Sequence, residues 1–360
     1  MADALCLGLV GPLPPPNGGM AMQTLQLARL LREEGIAVEI VQTNAPYRPP
    51  LVEKLQGLRA LFRLLPYLWR LWRLAGRVDV IHLMANSGWS WQLFAAPAVW
   101  TGWLRGTPVI VNYRGGEARE YFSRSIRRVR PTLGRASAVV VPSGFLEAVF
   151  REFGVATQVV PNIVDLDFFH PAASRRSDGT FTIAIARNLE ALYGIDTALE
   201  AFALARAEHA GLRLKIAGSG PQRVELERLA RQLNIDDSVT FLGRLDRPDI
   251  VALYHAADAM LNPSRVDNMP NSVLEALACG VPVVSTEVGG VPYMVRDGET
   301  ALLVEVDQPE AMAAALLRLA GDEELRAALI QRGAQVVAQY GWSSVRPLWL
   351  KTYQRAVSHA

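Results

Sequence analysis

The chain is poor in the residues from which metal centres and disulfide frameworks are built. Its 360 residues hold two cysteines, Cys6 and Cys279, far apart and without metal or redox spacing, and five histidines with no Cys/His cluster. No disulfide scaffold and no metal site are expected, and such cysteine usage fits a reduced, cytoplasmic compartment. No apolar run reaches the ~18 uncharged residues that a spanning helix requires. The start, MADALCLGLVG, is short and lacks the basic n-region of a secretory signal. Charge bias is missing too: 37 Lys and Arg stand against 35 Asp and Glu, a net charge of +2. So even a balance gives no footprint for nucleic acid. What remains is a length that suits two domains, each with its own core.

Apolar runs and turn residues give those domains an α/β pattern. Ala4–Val10 reads as a buried strand, the loop GPLPPPNGG follows, and Leu25, Leu27, Leu30 and Leu31 face the core from a helix over Met20–Glu34. Gly35 ends that helix and Val38–Gln42 is the second strand, a Rossmann-like opening. Gly18 and Gly19 either let the backbone approach a ligand or form a flexible turn. Strand Val78–Met84 carries His82 near its C-terminal end, where ligands of parallel sheets gather, although a histidine there also finds local partners readily. Strand Thr107–Val111 precedes a loop holding Arg114 and Glu117, and Ala138–Pro142 is a further strand before a helix from Phe145.

A polar stretch, Ser174–Thr180, reads as a linker, and a second series begins at Phe181. Its first strand ends at Arg187, with Asp196 the expected N-cap of the next helix. Leu212–Ala217 ends in Gly218-Ser219-Gly220-Pro221, and Val239–Leu242 ends in Gly243-Arg244-Leu245. Asp165-x-Asp167 has the look of a metal pair, but its turn context offers no further oxygen ligands for Mg²⁺. The tail carries Trp342, Val345, Leu348, Trp349, Tyr353 and Val357 at helical spacing.

Leu51–Arg77 sets Lys54, Arg59, Arg63, Arg70, Arg73 and Arg77 against one acid, Glu53, with Leu61, Phe62, Leu65, Leu68, Trp69 and Trp72 among them. Pro66 is expected to break or kink the helix. Such a stretch suits a helix lying on an anionic membrane surface, and equally a core-facing helix with a solvated basic side.

The chain is organised around Ala257–Gly290, ADAMLNPSRVDNMPNSVLEALACGVPVVSTEVGG. A polar loop from Asn262 to Asn271 feeds a short helix with Asn271 or Ser272 as N-cap, Gly280 at its C-terminus and Pro282 forbidding continuation. A loop meeting a helix N-terminus beside buried strands is a common place for anionic ligands. Asp267 and Glu275 stand eight positions apart. Ser272-x-x-Glu275 also has the form of a capping box, which needs no ligand.

Pro263-Ser264, an acid, seven residues and a glutamate followed by Ala276-x-Ala278-Cys279-Gly280-Val281-Pro282 resembles the signature of the family 4 retaining glycosyltransferases. The usual first glutamate is Asp267 here, a lysine common before Gly194 is Tyr193, and a histidine common near Tyr113-Arg114 is absent. The resemblance implies an α/β GT-B fold, two Rossmann-like domains facing each other across a cleft. It divides the chain into an acceptor-side domain over 1–165, a nucleotide-sugar domain over 166–341 and a C-terminal helix over 342–360 returning to the first. It implies a donor site of Gly18, Gly19, Arg187, Gly218, Gly243, Arg244, Leu245, Asp267, Asn268, Met269, Pro270, Asn271, Ser272 and Glu275. Arg187, Asp267, Glu275 and His82 would be catalytic, and Arg114 and Glu117 would stand on the acceptor side. Asp267 would orient the sugar and Glu275 the ribose. The expected activity is metal-independent, retaining transfer from a UDP- or GDP-linked sugar, without a cofactor, to a saccharide or lipid-linked acceptor in cell-surface saccharide synthesis, on the inner face of the membrane. A sugar-nucleotide 2-epimerase of the same architecture, and a non-catalytic partner subunit, are the alternatives.

Overall fold

The computed structural model describes residues 5–15, 18–47, 59–173 and 179–358, side chains at 59–61 excepted. Residues 51–58 of the basic-aromatic stretch and 174–178 of the expected linker lie outside the described residues. The chain divides into two compact units, Met1–Ile163 with Trp342–Ala360, and Val164–Gly341.

The first unit is built on a parallel sheet of β1 (Cys6–Gly11), β2 (Ala37–Gln42), β3 (Val80–Ala85), β4 (Val109–Tyr113), β5 (Ala138–Val141) and β6 (Gln158–Val159). Its spatial order is β2-β1-β3-β4-β5-β6, so the chain reverses direction across the sheet between β1 and β3. Every residue of β3 and β4 is buried. That is the burial expected of parallel strands covered by helices on both faces.

The second unit repeats the plan with β7 (Phe181–Ala186), β8 (Leu212–Ala217), β9 (Val239–Gly243), β10 (Ala259–Asn262), β11 (Val283–Thr286) and β12 (Leu302–Val304). Their order is β12-β11-β10-β7-β8-β9, and here the reversal lies between β7 and β10. Ligands of such sheets collect outside the carboxyl ends of the strands at that reversal.

Two local expectations change. Of the break or kink expected at Pro66, the break does not occur, for the helix Arg59–Ala75 continues through it. Pro66 is exposed, so water can take up the carbonyl left unpaired one turn earlier. The helix expected to start on Asp196 begins at Ile195 with Gly194 as N-cap, and Asp196 lies in its first turn. Gly194 has φ 60°, and a Cβ there would stand 2.2 Å from the Pro263 carbonyl oxygen, so a β-carbon would push the two segments apart.

The last helix, Trp342–Ser358, belongs to the first unit. It buries Val345, Trp349, Tyr353 and Ala356 against Leu7, Leu9, Val80 and Val140. The Tyr353 hydroxyl lies 2.8 Å from His82 Nδ1, and Asn112 Nδ2 donates to His82 Nε2 across 3.0 Å. With Nε2 accepting, the imidazole proton sits on Nδ1 and is donated to Tyr353. Burial, with the Arg114 charge adding to it, pushes the His82 pKa down to about 3, so the ring stays neutral. Tyr353→Phe should leave that N–H without an acceptor and destabilise the protein by ~1–3 kcal/mol. Thermal unfolding followed by circular dichroism measures it; a melting temperature equal to the parent's would show that the contact contributes nothing.

Candidate active site

The carboxyl ends of β7 and β10 deliver Arg187 and Asn262 to the reversal point of the second sheet. Arg187 Nε donates to Asn262 Oδ1 at 2.9 Å, and the same oxygen accepts from Ser264 Oγ at 3.1 Å. Asn262 is itself fixed, because its Nδ2 donates to Ser285 Oγ on β11 at 2.9 Å. Asn262, Ser264 and Ser285 are fully buried, so this polar chain has one low-energy arrangement. Arg187 Nη2 donates to Asp267 Oδ2, and Asp267 Oδ1 accepts the backbone N–H of Asn268 at 3.0 Å. The guanidinium also lies over the Tyr193 ring, 5.0 Å from its centroid. Tyr193 is therefore an aromatic support where a second cation was expected. Burial lowers the Arg187 pKa, and the fields of Tyr193, Tyr254 and Glu275 counter it. A guanidinium has five N–H donors, and among the described residues Nη1 has no hydrogen-bond partner.

The backbone is closed tightly around this residue. Gly218 has φ 153°, and a Cβ there would lie 1.8 Å from the Arg187 carbonyl oxygen. Gly218 N donates to the Gly243 carbonyl at 2.8 Å, and Leu189 N to that of Ser219 at 3.1 Å. Gly218 thus seats the end of β8 against the Arg187 segment. Gly243 has φ 71°; beyond it Arg244 is exposed and Leu245 half-buried. Arg265 ties the loop after β10 to the Gly194 turn, donating to the Ala191 carbonyl at 2.7 Å, Asp196 at 2.9 Å and Asp307 at 2.7 Å.

The capping box is not formed. Pro270, with φ −66° and ψ 115°, is the N-cap, and the helix Asn271–Ala278 starts with no side-chain cap. Proline presets the φ a helix entrance needs, and this one starts the helix early enough to carry Ser272 and Glu275 inside it. Ser272 Oγ is buried without a hydrogen-bond partner. Asn268, Met269 and Pro270 are buried and Asn271 half-buried. Gly280 has φ 69° just beyond the C-terminus, as expected of it. Glu275 is partly exposed, and among the described residues its carboxylate has neither hydrogen bond nor ion pair. Burial pushes its pKa up to about 7, against the fields of Arg247 and Arg187. Arg247 is held by Asp165 Oδ2 at 3.1 Å and lies over Phe168 at 4.3 Å, so the first acid of the Asp165-x-Asp167 pair serves an arginine.

The second unit thus brings Arg187, Asp267 and the Asn268–Ser272 loop together, with Glu275 in the field of Arg187. The remaining sequence candidates lie in the first unit. His82 is corrected: it is fully buried with both ring nitrogens engaged, so it has no free nitrogen for a substrate. Arg114 donates to Asn162 Oδ1, and burial lowers its pKa to about 10. Glu117 is exposed at the start of helix Ala118–Leu133. Gly18 precedes helix Gly19–Glu33 with φ −92°, and a Cβ there would meet nothing within 4 Å. Neither packing nor φ demands glycine at that place. Asn262, Ser264, Ser285 and Arg247 were missed. The one signal in the sequence is a polar residue closing the apolar run AMLN.

A doubly wound pair of parallel sheets with this constellation defines a GT-B glycosyltransferase, and the comparisons agree. Residues 168–336 match the family model described as glycosyl transferases group 1, and residues 17–168 the model for glycosyltransferase family 4. The chain belongs to glycosyltransferase family 4 and is a glycosyltransferase. A D-inositol 3-phosphate glycosyltransferase of Pseudarthrobacter chlorophenolicus is 29% identical over 384 residues, 94% of this chain and 91% of the relative. One from Mycobacterium leprae is 29% identical over 394 residues, covering 96% and 91%. Among solved structures, sucrose-phosphate synthase from Thermosynechococcus elongatus aligns with a TM-score of 0.79 at 23% identity, covering 99% of this chain and 100% of that one. Anabaena HepE in complex with UDP and glucose aligns with a TM-score of 0.75 at 18% identity, covering 97% and 99%.

The raised pKa of Glu275 carries a stability consequence. The folded state disfavours the anion, so the cost is absent below the ordinary carboxyl value of 4.5, grows as pH rises and is complete above about 7. Glu275→Gln should therefore stabilise the protein at pH 8, by on the order of 2 kcal/mol after allowance for partial exposure, and leave it unchanged at pH 4.5. Thermal melts at the two pH values test this; a loss of stability at pH 8 would mean that the carboxylate is a structural group.

Proposed function

We propose that the chain is a retaining, metal-independent glycosyltransferase taking its sugar from a UDP- or GDP-linked donor. The observation that carries the reading is Arg187, fixed by Asn262 and Asp267 at the sheet reversal and keeping Nη1 free. Transfer requires a departing diphosphate to be stabilised while the anomeric carbon takes on oxocarbenium character. Preoriented positive groups lower that barrier without reorganising. Arg187 can fork onto the diphosphate, and the Asn271–Ala278 terminus adds its positive pole. Glu275, a carboxylate without a partner among the described residues, suits the ribose hydroxyls, and Asp267 orients both Arg187 and the sugar. In the retaining step the nucleotide–sugar bond breaks as the acceptor oxygen attacks from the same face, and the leaving phosphate takes the acceptor proton. The UDP complex of Anabaena HepE supports a uridine donor.

Incubation with a panel of UDP- and GDP-sugars in the presence of a chelator tests the reading. Slow release of nucleotide and free sugar supports it, an isomerised sugar would make the chain an epimerase, and no turnover would make it a silent subunit. Arg187→Gln should lower that release by ~100-fold or more. Asp267→Glu restores the family's commoner acid, yet should lower turnover by up to ~100-fold, because the shorter arm is fitted to Arg187 and Asn268. Unchanged kinetics would show that the arm length is immaterial.

The acceptor is a saccharide or a lipid-linked saccharide used in cell-surface synthesis at the inner face of the membrane. Among the described residues no helix is long and apolar enough to cross a bilayer. The supporting observation is an exposed face of Phe62, Leu65, Trp69 and Trp72, continued by Trp103 and Leu104 on helix Ala96–Arg105. Arg73 lies over Trp69 and Arg105 over Trp72, each 4.8 Å from the ring centroid. Such aromatics suit the acyl boundary and such arginines anionic head groups. The protein should co-sediment with anionic but far less with neutral vesicles, and Arg70→Glu with Arg73→Glu and Arg105→Glu should abolish this while sparing donor hydrolysis. Equal recovery in the supernatant with and without anionic lipid would leave the face a plain surface.

A further inference from the structure

Besides Asn262, two groups hold Arg187: the Tyr193 ring and the Asp267 carboxylate. They come from different loops. Tyr193 closes the short turn Ala191–Tyr193 after β7, and Asp267 lies in the loop after β10. Arg265, two residues before Asp267, joins the two. Its backbone N–H donates to the Leu192 carbonyl at 2.9 Å, and the N–H of Val266 reaches the same oxygen at 3.3 Å. Its side chain continues the seam, with Nη1 donating to the Ala191 carbonyl at 2.7 Å. The turn is thus fastened to the loop at two successive carbonyls.

The rest of the guanidinium is anchored on two carboxylates and a hydroxyl. Nη2 donates to Asp196 Oδ2 at 2.9 Å and to Thr197 Oγ1 at 3.1 Å, both in the first turn of helix Ile195–Glu208. Nε donates to Asp307 Oδ1 at 2.7 Å, and that oxygen also accepts from Thr197 Oγ1 at 3.0 Å. Four of the five guanidinium donors are therefore engaged. Asp307 reaches this arrangement from a left-handed backbone with φ 56°, a conformation that persists where the surroundings over-determine it. The Arg265 side chain is 28% exposed and its two acids 39% and 52%, so as surface ion pairs they contribute little stability. What the fork does is geometric. A planar set of filled donors holds the segments it joins in one arrangement.

We propose that Arg265 is a positioning residue: by clamping the Ala191–Tyr193 turn to the Asp267 loop, it keeps Tyr193 and Asp267 at the spacing that aims Arg187 at the donor diphosphate. On the donor reading of Arg187 proposed above, it acts on the phosphate only through that residue. Without the clamp the ring and the carboxylate separate, and Arg187 loses its orientation while Asn262 still holds its Nε. The loss falls on ligands that carry the second phosphate, since that is the group Arg187 selects.

Phenylglyoxal labelling of arginines in the full chain, mapped by peptide mass spectrometry, reads the freedom of Arg187 directly. Arg265→Met keeps the apolar stem and removes the donors. Arg187 should then label several-fold faster than in the parent, while Arg206, held by Asp237 elsewhere in the second unit, keeps its rate. Arg265→Lys, which retains the charge but not the fork, should lie between the two. Calorimetry with UDP, UMP, GDP and GMP follows the effect on binding. The preferred diphosphate should bind Arg265→Met ~10-fold more weakly, with its monophosphate changed less than ~2-fold, a coupling of the size seen within one hydrogen-bond network. In an Arg187→Gln background the same substitution should cost the diphosphate nothing further. Unchanged labelling of Arg187, faster labelling of Arg187 and Arg206 alike, or an equal diphosphate loss in both backgrounds would make Arg265 a general fastening of the fold and overturn the proposal. A parent that binds diphosphate no better than monophosphate would sink the donor reading, and the Arg187 labelling rate would still decide the positioning role. If Arg265→Met does not fold, Asp307→Gly takes its place, because glycine adopts the left-handed φ freely and removes one anchor, and the same signs are expected.

Discussion

The hydrogen bond from Arg187 to Asn262 joins two strands that the chain visits far apart, and the second unit's site depends on it. β7 and β10 are neighbours only because the sheet reverses between them, and at their carboxyl ends the side chains of Arg187 and Asn262 meet. A buried guanidinium is unfavourable unless its donors are matched. Asn262, anchored on Ser285, and Asp267, anchored on Asn268, supply that match along one edge and leave the other edge open. Gly218 follows from the same demand: any side chain there would collide with the Arg187 carbonyl and push the strand end away.

The departures from the family pattern become intelligible on this frame. Asp267 is shorter than glutamate, and its carboxylate ends on Arg187 and on its own loop. Tyr193, standing where a lysine is common, places a ring beneath the same guanidinium. Among the described residues the Glu275 carboxylate has no hydrogen-bond or ion-pair partner, and burial raises its pKa, which suits a group fitted to a ligand rather than to its own helix.

Much of the fold was legible in the sequence. Strand Leu212–Ala217 begins and ends where expected, because Leu212, Leu214 and Ile216 are buried and alternate with Arg213 and Lys215, the period of two that marks a strand. Gly280 was legible because only a left-handed residue closes that helix cheaply. What could not be read were features decided by tertiary contact. Whether Ser272 and Glu275 cap a helix depends on where Pro270 starts it. Whether His82 meets substrate or core depends on Tyr353, 271 residues away. Arg63 and Arg70 look alike in a basic run, yet one lies over the Tyr47 ring and the other faces water. Asn262 gave almost no signal, since its importance lies in what reaches it from another strand.

The central claim is that the fixed Arg187 is the centre for the donor diphosphate. Calorimetric titration with nucleoside diphosphate and nucleoside monophosphate, each carrying uridine or guanosine, tests it directly in the parent and in Arg187→Gln. The account predicts that the preferred diphosphate binds the parent at least ~10-fold more tightly than its monophosphate, as one charge-assisted contact warrants, and that the gap closes in the variant. A gap of the same size in both proteins would contradict it.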